Sequence, residues 1–258
     1  MKEYELTFQK NIRDLGGMIG YQGKKVKNGR LFRGGFLDKI TSDDLPILES
    51  FHLTDVVDFR GEEEFLNRPD YRLQGVRYHN FPVIQEHVKK EHIHNEDGNL
   101  LWFVENQKNG YEHMVLIYQE MVTSPLSISA YQRFFQILTE DNDRVTYFHC
   151  SQGKDRAGLG AFFLEIALGV PLEKAKEDYL HSNKAMGNRV ETLINKVKNK
   201  DFYNENYCKS LHDVFTAKID YLEVAIKAIY EVSLDIETYL KDVLKVDINR
   251  LREIYLEE

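Results

Sequence analysis

Two cysteines in 258 residues, Cys150 and Cys208, are too few for a disulfide framework. Cys208 reads as a structural thiol, which leaves Cys150 free for chemistry. Zinc-type Cys/His spacing is missing, and the nine histidines are scattered. His87, His92 and His94 sit in a charged stretch, so no metal or other cofactor is expected. No run of about 18 apolar residues occurs, which excludes a membrane-spanning helix by length. The opening Met1-Lys2-Glu3-Tyr4-Glu5-Leu6 is charged where a secretory signal would be apolar. The expectation is a cytoplasmic protein, with export through a leader removed upstream left open. The formal charge of −8 lacks the basic excess that a nucleic-acid backbone demands. Repeats, low-complexity tracts and linkers are also missing, and 42% hydrophobic content suffices for one large core.

Against these absences stands one dense stretch, Arg144-Val-Thr-Tyr-Phe-His149-Cys150-Ser151-Gln152-Gly153-Lys154-Asp155-Arg156-Ala157-Gly158. Val145 to Phe148 is β-branched and aromatic and predicts a strand. Ala157 to Leu168 is apolar on most sides and predicts a buried helix. Between them a cysteine precedes an arginine by six positions, with a glycine in the turn. A free thiol titrates near pH 8.5, but at a helix N-terminus beside a fixed cation the value falls to roughly 3.5–7.5. Backbone N–H groups at such a terminus have no helical partner and converge on anions. Arg156 can grip two phosphate oxygens in a fork. This order suits attack by sulfur on phosphorus.

The His149-Cys150-x5-Arg156 stretch resembles the signature loop of cysteine-dependent protein tyrosine phosphatases. In its fuller form, with Gly153-Lys154-Asp155 and Gly158, it is similar to the bacterial tyrosine/serine phosphatases, some of which also act on phosphoinositides. The resemblance implies an α/β fold like that of the tyrosine phosphatases, a central and mostly parallel sheet flanked by helices. It implies a hydrolase acting on phosphorylated protein or phosphoinositide, with phosphotyrosine favoured, through a cysteinyl phosphate. Cys150 would be nucleophile and Arg156 the clamp. His149, Ser151, Gln152, Gly153, Lys154, Ala157 and Gly158 would shape a loop able to hold a phosphate or sulfate ion. Lys154 would add positive charge beside the phosphate, and His149 would orient the loop. Two rivals use a similar loop, a sulfurtransferase and a non-catalytic phosphate-binding module.

The rest of the chain fits one domain over 1–258, an α/β core at 11–183 and a helical extension at 184–258 packed on it. Asn11-Ile-Arg13-Asp14-Leu-Gly16-Gly17 and Arg30-Leu-Phe-Arg33-Gly34-Gly35 read as a glycine-rich opening hairpin. In the family its arginines face or brace the active site. Thr41 to Asp44 with Pro46 announces a helix. Leu53 to Arg60 is a buried strand that brings Asp58 and Arg60 to its carboxyl end, where ligands of parallel sheets gather. The alternative there is a surface ion pair. Glu62 to Arg68 is a short acidic helix, and residues 76–83 are a further strand. Residues 84–110 turn polar and read as an insertion over the site. Helices follow at Tyr111–Val122 and Ser129–Leu138, separated by Ser124-Pro125, then from Val170-Pro171 to Asn183. Asp178 and Tyr179 read as helix-packing residues. Ala217–Val232 and two short helices in 234–257 close the chain.

Two departures from the family pattern matter. No Trp-Pro-Asp stretch occurs, and Phe81-Pro82-Val83 carries no acid where the general acid often sits. Asp155, Asp58 and an acid in the 84–98 loop therefore remain candidates. Ala157 stands where Ser or Thr is common, and its methyl cannot help sulfur leave.

Overall fold

The computed structural model describes residues 2–9, 11–84, 109–187, 189–199 and 204–257. The polar insertion, with its candidate acids and its three histidines, lies outside them at 85–108. Six strands form one sheet in the order β1-β2-β3-β6-β4-β5. They are β1 (Lys2–Tyr4), β2 (Ile12–Asp14), β3 (Leu31–Gly35), β4 (Asp55–Asp58), β5 (Arg77–Asn80) and β6 (Thr146–Cys150). β3, β6, β4 and β5 run parallel, while β1 and β2 add an antiparallel edge. The sheet is thus mostly parallel and flanked by helices, as the fold class expected. The glycine-rich opening does make a hairpin, with Arg13 paired to Arg33. β1 escaped the sequence reading because three charged or half-exposed residues on an edge carry no hydrophobic alternation.

Side chains alternate across the sheet and fill two cores. Val57, Phe148 and Cys150 face the larger one, while Phe32, Val56 and Tyr147 face the smaller. On the smaller side Phe32 stacks on Phe51 at 4.4 Å between ring centroids. The larger side is covered by α3 (Gly110–Thr123), α4 (Pro125–Glu140), α5 (Arg156–Ala167), α6 (Leu172–Met186), α9 (Ile219–Val232) and α11 (Ile248–Tyr255). Short α1 (Leu45–Glu49) and α2 (Glu62–Asn67) follow β3 and β4. α7 (Arg189–Val197), α8 (Glu205–Phe215), the single turn α10 (Ile236–Thr238) and a π turn over Tyr239–Val243 complete the chain.

The expected break at Ser124-Pro125 separates α3 from α4, and it is also the start of α4, four residues earlier than expected. Ser124 caps α4 by accepting from the Ser127 N–H at 3.1 Å, and Pro125 occupies the first turn, where its missing N–H costs nothing. In the C-terminal region buried tyrosines act as pins. Tyr239 donates to the Val122 carbonyl at 2.7 Å and Tyr255 to the Leu138 carbonyl at 3.0 Å. The larger core runs from Leu15 to Leu256, so the helical tail shares it with the sheet.

The parallel strands end side by side at Gly35, Cys150 and Asp58, the edge where ligands of such sheets collect. Gly34 is required there by space. A Cβ on it would lie 2.2 Å from the Tyr147 hydroxyl, which donates to the Gly35 carbonyl. Gly34→Ala should therefore destabilise the fold by about 1–3 kcal/mol, the usual range for overpacking a filled core. Urea denaturation would read it as a lower midpoint with unchanged slope, and an unshifted midpoint would refute it.

Candidate active site

β6 delivers His149 and Cys150, both buried, to that edge. The chain then turns through residues 151–155 and re-enters as α5. Gly153 makes the turn at φ +70°, and a Cβ there would lie 2.3 Å from the Gly34 carbonyl. Two carbonyls of the turn are tied outward. Asn11 Nδ2 donates to Gln152 O at 2.9 Å, and Arg33 Nη2 donates to Gly153 O at 2.8 Å. A peptide plane sets its N–H opposite its C=O, so these ties point the N–H groups of Gly153 and Lys154 the other way. Among the described residues, the backbone N–H groups of 151–155 meet no protein acceptor. Such unspent amides form an anion-binding concavity.

Arg33 is itself held. Asp178 on α6 accepts from Arg33 Nη1 at 2.5 Å and from Arg13 Nε at 2.8 Å. Arg13 Nη1 donates to Asn11 Oδ1 at 2.6 Å, which closes the brace. Burial would push the Asp178 carboxyl up, but the two guanidiniums outweigh it and hold it well below the ordinary range. Glu165 behaves oppositely: burial, reinforced by the charge of Asp178, drives its carboxyl well up. Asp178, expected to be a packing residue, is the keystone of this brace. Gly158 lets Arg33 pass, since a Cβ would sit 3.2 Å from its Nη2.

Arg156 opens α5 and is gripped by Glu64 of α2 through both terminal nitrogens. Its Nη2 also donates to Ser151 Oγ at 3.0 Å, and Ser151 donates to Glu64. Burial would raise the Glu64 carboxyl, but Arg156 and Ser151 bring it down to about 2, so it stays ionised. Burial would equally lower Arg156, and Glu64 overrides this to raise it. Sequence reading missed Glu64. Its signal was an acidic helix placed just after the strand that ends at Asp58.

Three expected site residues are engaged elsewhere. Asp58 accepts from Arg60 Nε and Nη2 at 2.9 and 2.7 Å and from the Arg60 backbone N–H at 2.8 Å. Arg60 also donates to the Arg68 carbonyl and to Asp70. The pair is an ion pair, as the alternative reading had it, but buried rather than at the surface. Arg60 is thereby turned away from a substrate-binding role, and the Asp58 carboxylate is spent on it. Lys154, expected beside the phosphate, is also buried. Its ammonium donates to Asp155 Oδ1 at 2.7 Å and to the Val214 carbonyl of α8 at 2.9 Å. Asp155 keeps a fifth of its side chain exposed and accepts from the Tyr118 hydroxyl at 2.8 Å. Ala157 is fully buried in α5, and Gln152 contributes its tied carbonyl.

Asp58, Asp70 and His149 could converge on a metal ion, but cations of the chain already serve them. His149 Nε2 lies 3.0 Å from Asp70, and Arg60 joins both carboxylates. His149 Nδ1 reaches its neighbour's carbonyl, Cys150 O, at 3.2 Å. Burial would lower the imidazole, but Asp70 and Asp58 lift it to about 9. Burial would raise Asp70, but His149 and Arg60 bring it to about 2.

A thiol at the carboxyl end of a central parallel strand, an amide-lined turn and an arginine at the following helix start form a cradle suited to an oxyanion. The profile described as tyrosine phosphatase family matches residues 4–257, and the chain belongs to that family. It is 28% identical over 258 residues to a Cupriavidus necator protein provisionally named a tyrosine-protein phosphatase, covering 98% of this chain and 89% of that one. It is 24% identical over 275 aligned positions to the triple specificity protein phosphatase PtpB of Mycobacterium tuberculosis, covering 95% and 99%.

The His149–Asp70 pair gives a pH signature. The folded imidazole titrates above its unfolded value of 6.5, so its contribution is complete below pH 6.5 and disappears as pH rises through about 9. Stability should fall by on the order of 3 kcal/mol across that window. Chemical denaturation at pH 6, 7.5 and 9 checks this against His149→Gln, which should show a flatter profile. Equal stability of the parent protein at all three would refute the pairing.

Proposed function

We propose that the protein hydrolyses phosphate monoesters through a phosphocysteine, with phosphotyrosine favoured and phosphoserine, phosphothreonine and phosphoinositides as a wider range. The observation that carries this reading is the outward fastening of the turn carbonyls above a buried cysteine, with Arg156 held at the rim by Glu64. In the first step Cys150 Sγ attacks phosphorus as the thiolate, forming the S–P bond. The bond from phosphorus to the ester oxygen breaks, and that oxygen takes a proton from Asp155. Arg156 and the amides of the turn stabilise the equatorial oxygens, the largest single term in such reactions. In the second step water attacks phosphorus and gives its proton back to Asp155. The S–P bond breaks, the electron pair returns to sulfur, and inorganic phosphate leaves.

Asp155 is preferred as the acid because it is partly exposed and adjoins Arg156, whereas Asp58 is saturated by Arg60. The names of the two relatives support a protein substrate, and the second supports breadth. Lys154 gives no support to recognition of a second phosphate, because its ammonium is taken by Asp155 and Val214. The positive charge comes from arginines and amides, so the chemistry as proposed involves no metal.

Hydrolysis of para-nitrophenyl phosphate is the direct test. Cys150→Ser should abolish it, a chelator should leave it unchanged, and Arg156→Lys should lower kcat by ~10²–10³. Full activity in Cys150→Ser would end the phosphocysteine reading, and sulfur transfer from thiosulfate would favour the sulfurtransferase. Ala157 offers no hydroxyl to the departing sulfur, so rapid mixing should show a burst of para-nitrophenol approaching one equivalent. A linear trace from time zero would contradict slow breakdown of the intermediate.

A further inference from the structure

Asp155 is built into a network that its neighbours in sequence do not explain. Tyr118 reaches it from α3 and Lys154 from the turn, and both donate to the same oxygen, Oδ1, at 2.8 and 2.7 Å. Among the described residues, Oδ2 receives no hydrogen bond. The Tyr118 hydroxyl has one proton, and it goes to Asp155. The 2.7 Å contact between Tyr118 and Tyr179 is therefore donated by Tyr179. Tyr179 sits on α6 beside Asp178, the residue that braces Arg33. Lys154 is fixed at its other side by the Val214 carbonyl at the end of α8. All three donors are buried.

From this we infer that Tyr118, Lys154 and Tyr179 are positioning residues that make Asp155 Oδ1 a permanent acceptor and so confine the exchangeable proton to Oδ2. Resting on the reading of Asp155 as the acid, this assigns the donor atom and its suppliers. With two donors on Oδ1, a proton there would have to displace one of them, so the oxygen that faces the leaving group in the reaction is Oδ2. Both tyrosines are suited to the task. Burial, reinforced by the nearby Asp155 charge, pushes their hydroxyls well above 10, so they remain neutral donors across the working range. The aromatic pair is set edge to face, with centroids 6.2 Å apart, which holds the hydroxyls end to end. The arrangement also gives the helical tail a role, since a carbonyl of α8 aims the ammonium that aims the acid.

Leaving-group dependence separates this from a structural role. An alkyl phosphate needs its departing oxygen protonated, whereas para-nitrophenolate leaves without help. Tyr118→Phe should lower kcat/KM for the alkyl ester by about tenfold, a part of the ~10²–10⁴ that positioned proton transfer contributes. It should lower kcat/KM for para-nitrophenyl phosphate less than about twofold, since this constant reports phosphoenzyme formation, where that ester needs no acid. Tyr179→Phe should reproduce the pattern more weakly, and it decides the matter if Tyr118→Phe does not fold. Equal losses on both esters, or no loss on either, would overturn the inference. Asp155→Asn is run beside them. If it shows no preference for poor leaving groups, Asp155 is not the acid and the inference falls with it. If it does while both tyrosine variants behave like the parent, only the positioning fails.

Discussion

Everything at the catalytic edge depends on two hydrogen bonds to carbonyl oxygens. Gln152 O is held by Asn11 and Gly153 O by Arg33, and each of these side chains is held in turn by the Arg13–Asp178 pair. A free five-residue turn would spend its N–H groups on water or on itself. Tied by its carbonyls, it has no such freedom, and its amides are aimed before any anion arrives. Preorganisation of this kind costs nothing at the moment of reaction, which is why it outweighs groups that must be recruited. The brace is expensive to build, because two guanidiniums and two carboxyl groups leave water.

A second buried charge cluster does the same work for the neighbouring strand end. Asp58, Asp70, Arg60 and His149 neutralise one another inside the sheet edge. Their mutual satisfaction fixes the imidazole next to Cys150 in sequence. The Glu64 carboxylate is occupied by Arg156 and Ser151. The contrast between Asp58 and Asp155 follows from partners rather than from distance along the chain. Asp58 faces a guanidinium that fills both of its oxygens, whereas Asp155 has both donors on one oxygen.

Much of this was legible before any coordinates. The strand, the turn and the buried helix around Cys150 follow from β-branching, a glycine and an apolar run, all local signals. The hairpin carrying Arg13 and Arg33 could be read from paired glycines. The partners of these groups could not be read. Glu64, Asp70 and Asn11 lie 92, 79 and 141 positions from the atoms or residues they serve, and their local sequence offers no more than a hint, such as the acidic helix that carries Glu64. Lys154 misled for the same reason. Beside Arg156 in sequence it looks like a second phosphate ligand, and only the fold reveals the Val214 carbonyl that turns it inward. Pro125 read as a separator because a proline that starts a helix and one that ends it look alike without the cap at Ser124.

The tie between Asn11 and Gln152, and that between Arg13 and Asp178, have a consequence for how the chain acquires its competence. Both join segments more than a hundred residues apart, so closing them carries the entropic penalty of a very long loop and contributes nothing until both ends are in place. The turn that follows the thiol therefore cannot hold its working shape until the first strands and α6 are both in place. A nascent chain that stops short of α6 already contains Cys150 and Arg156, yet it lacks the carboxylate that draws the first strands onto them.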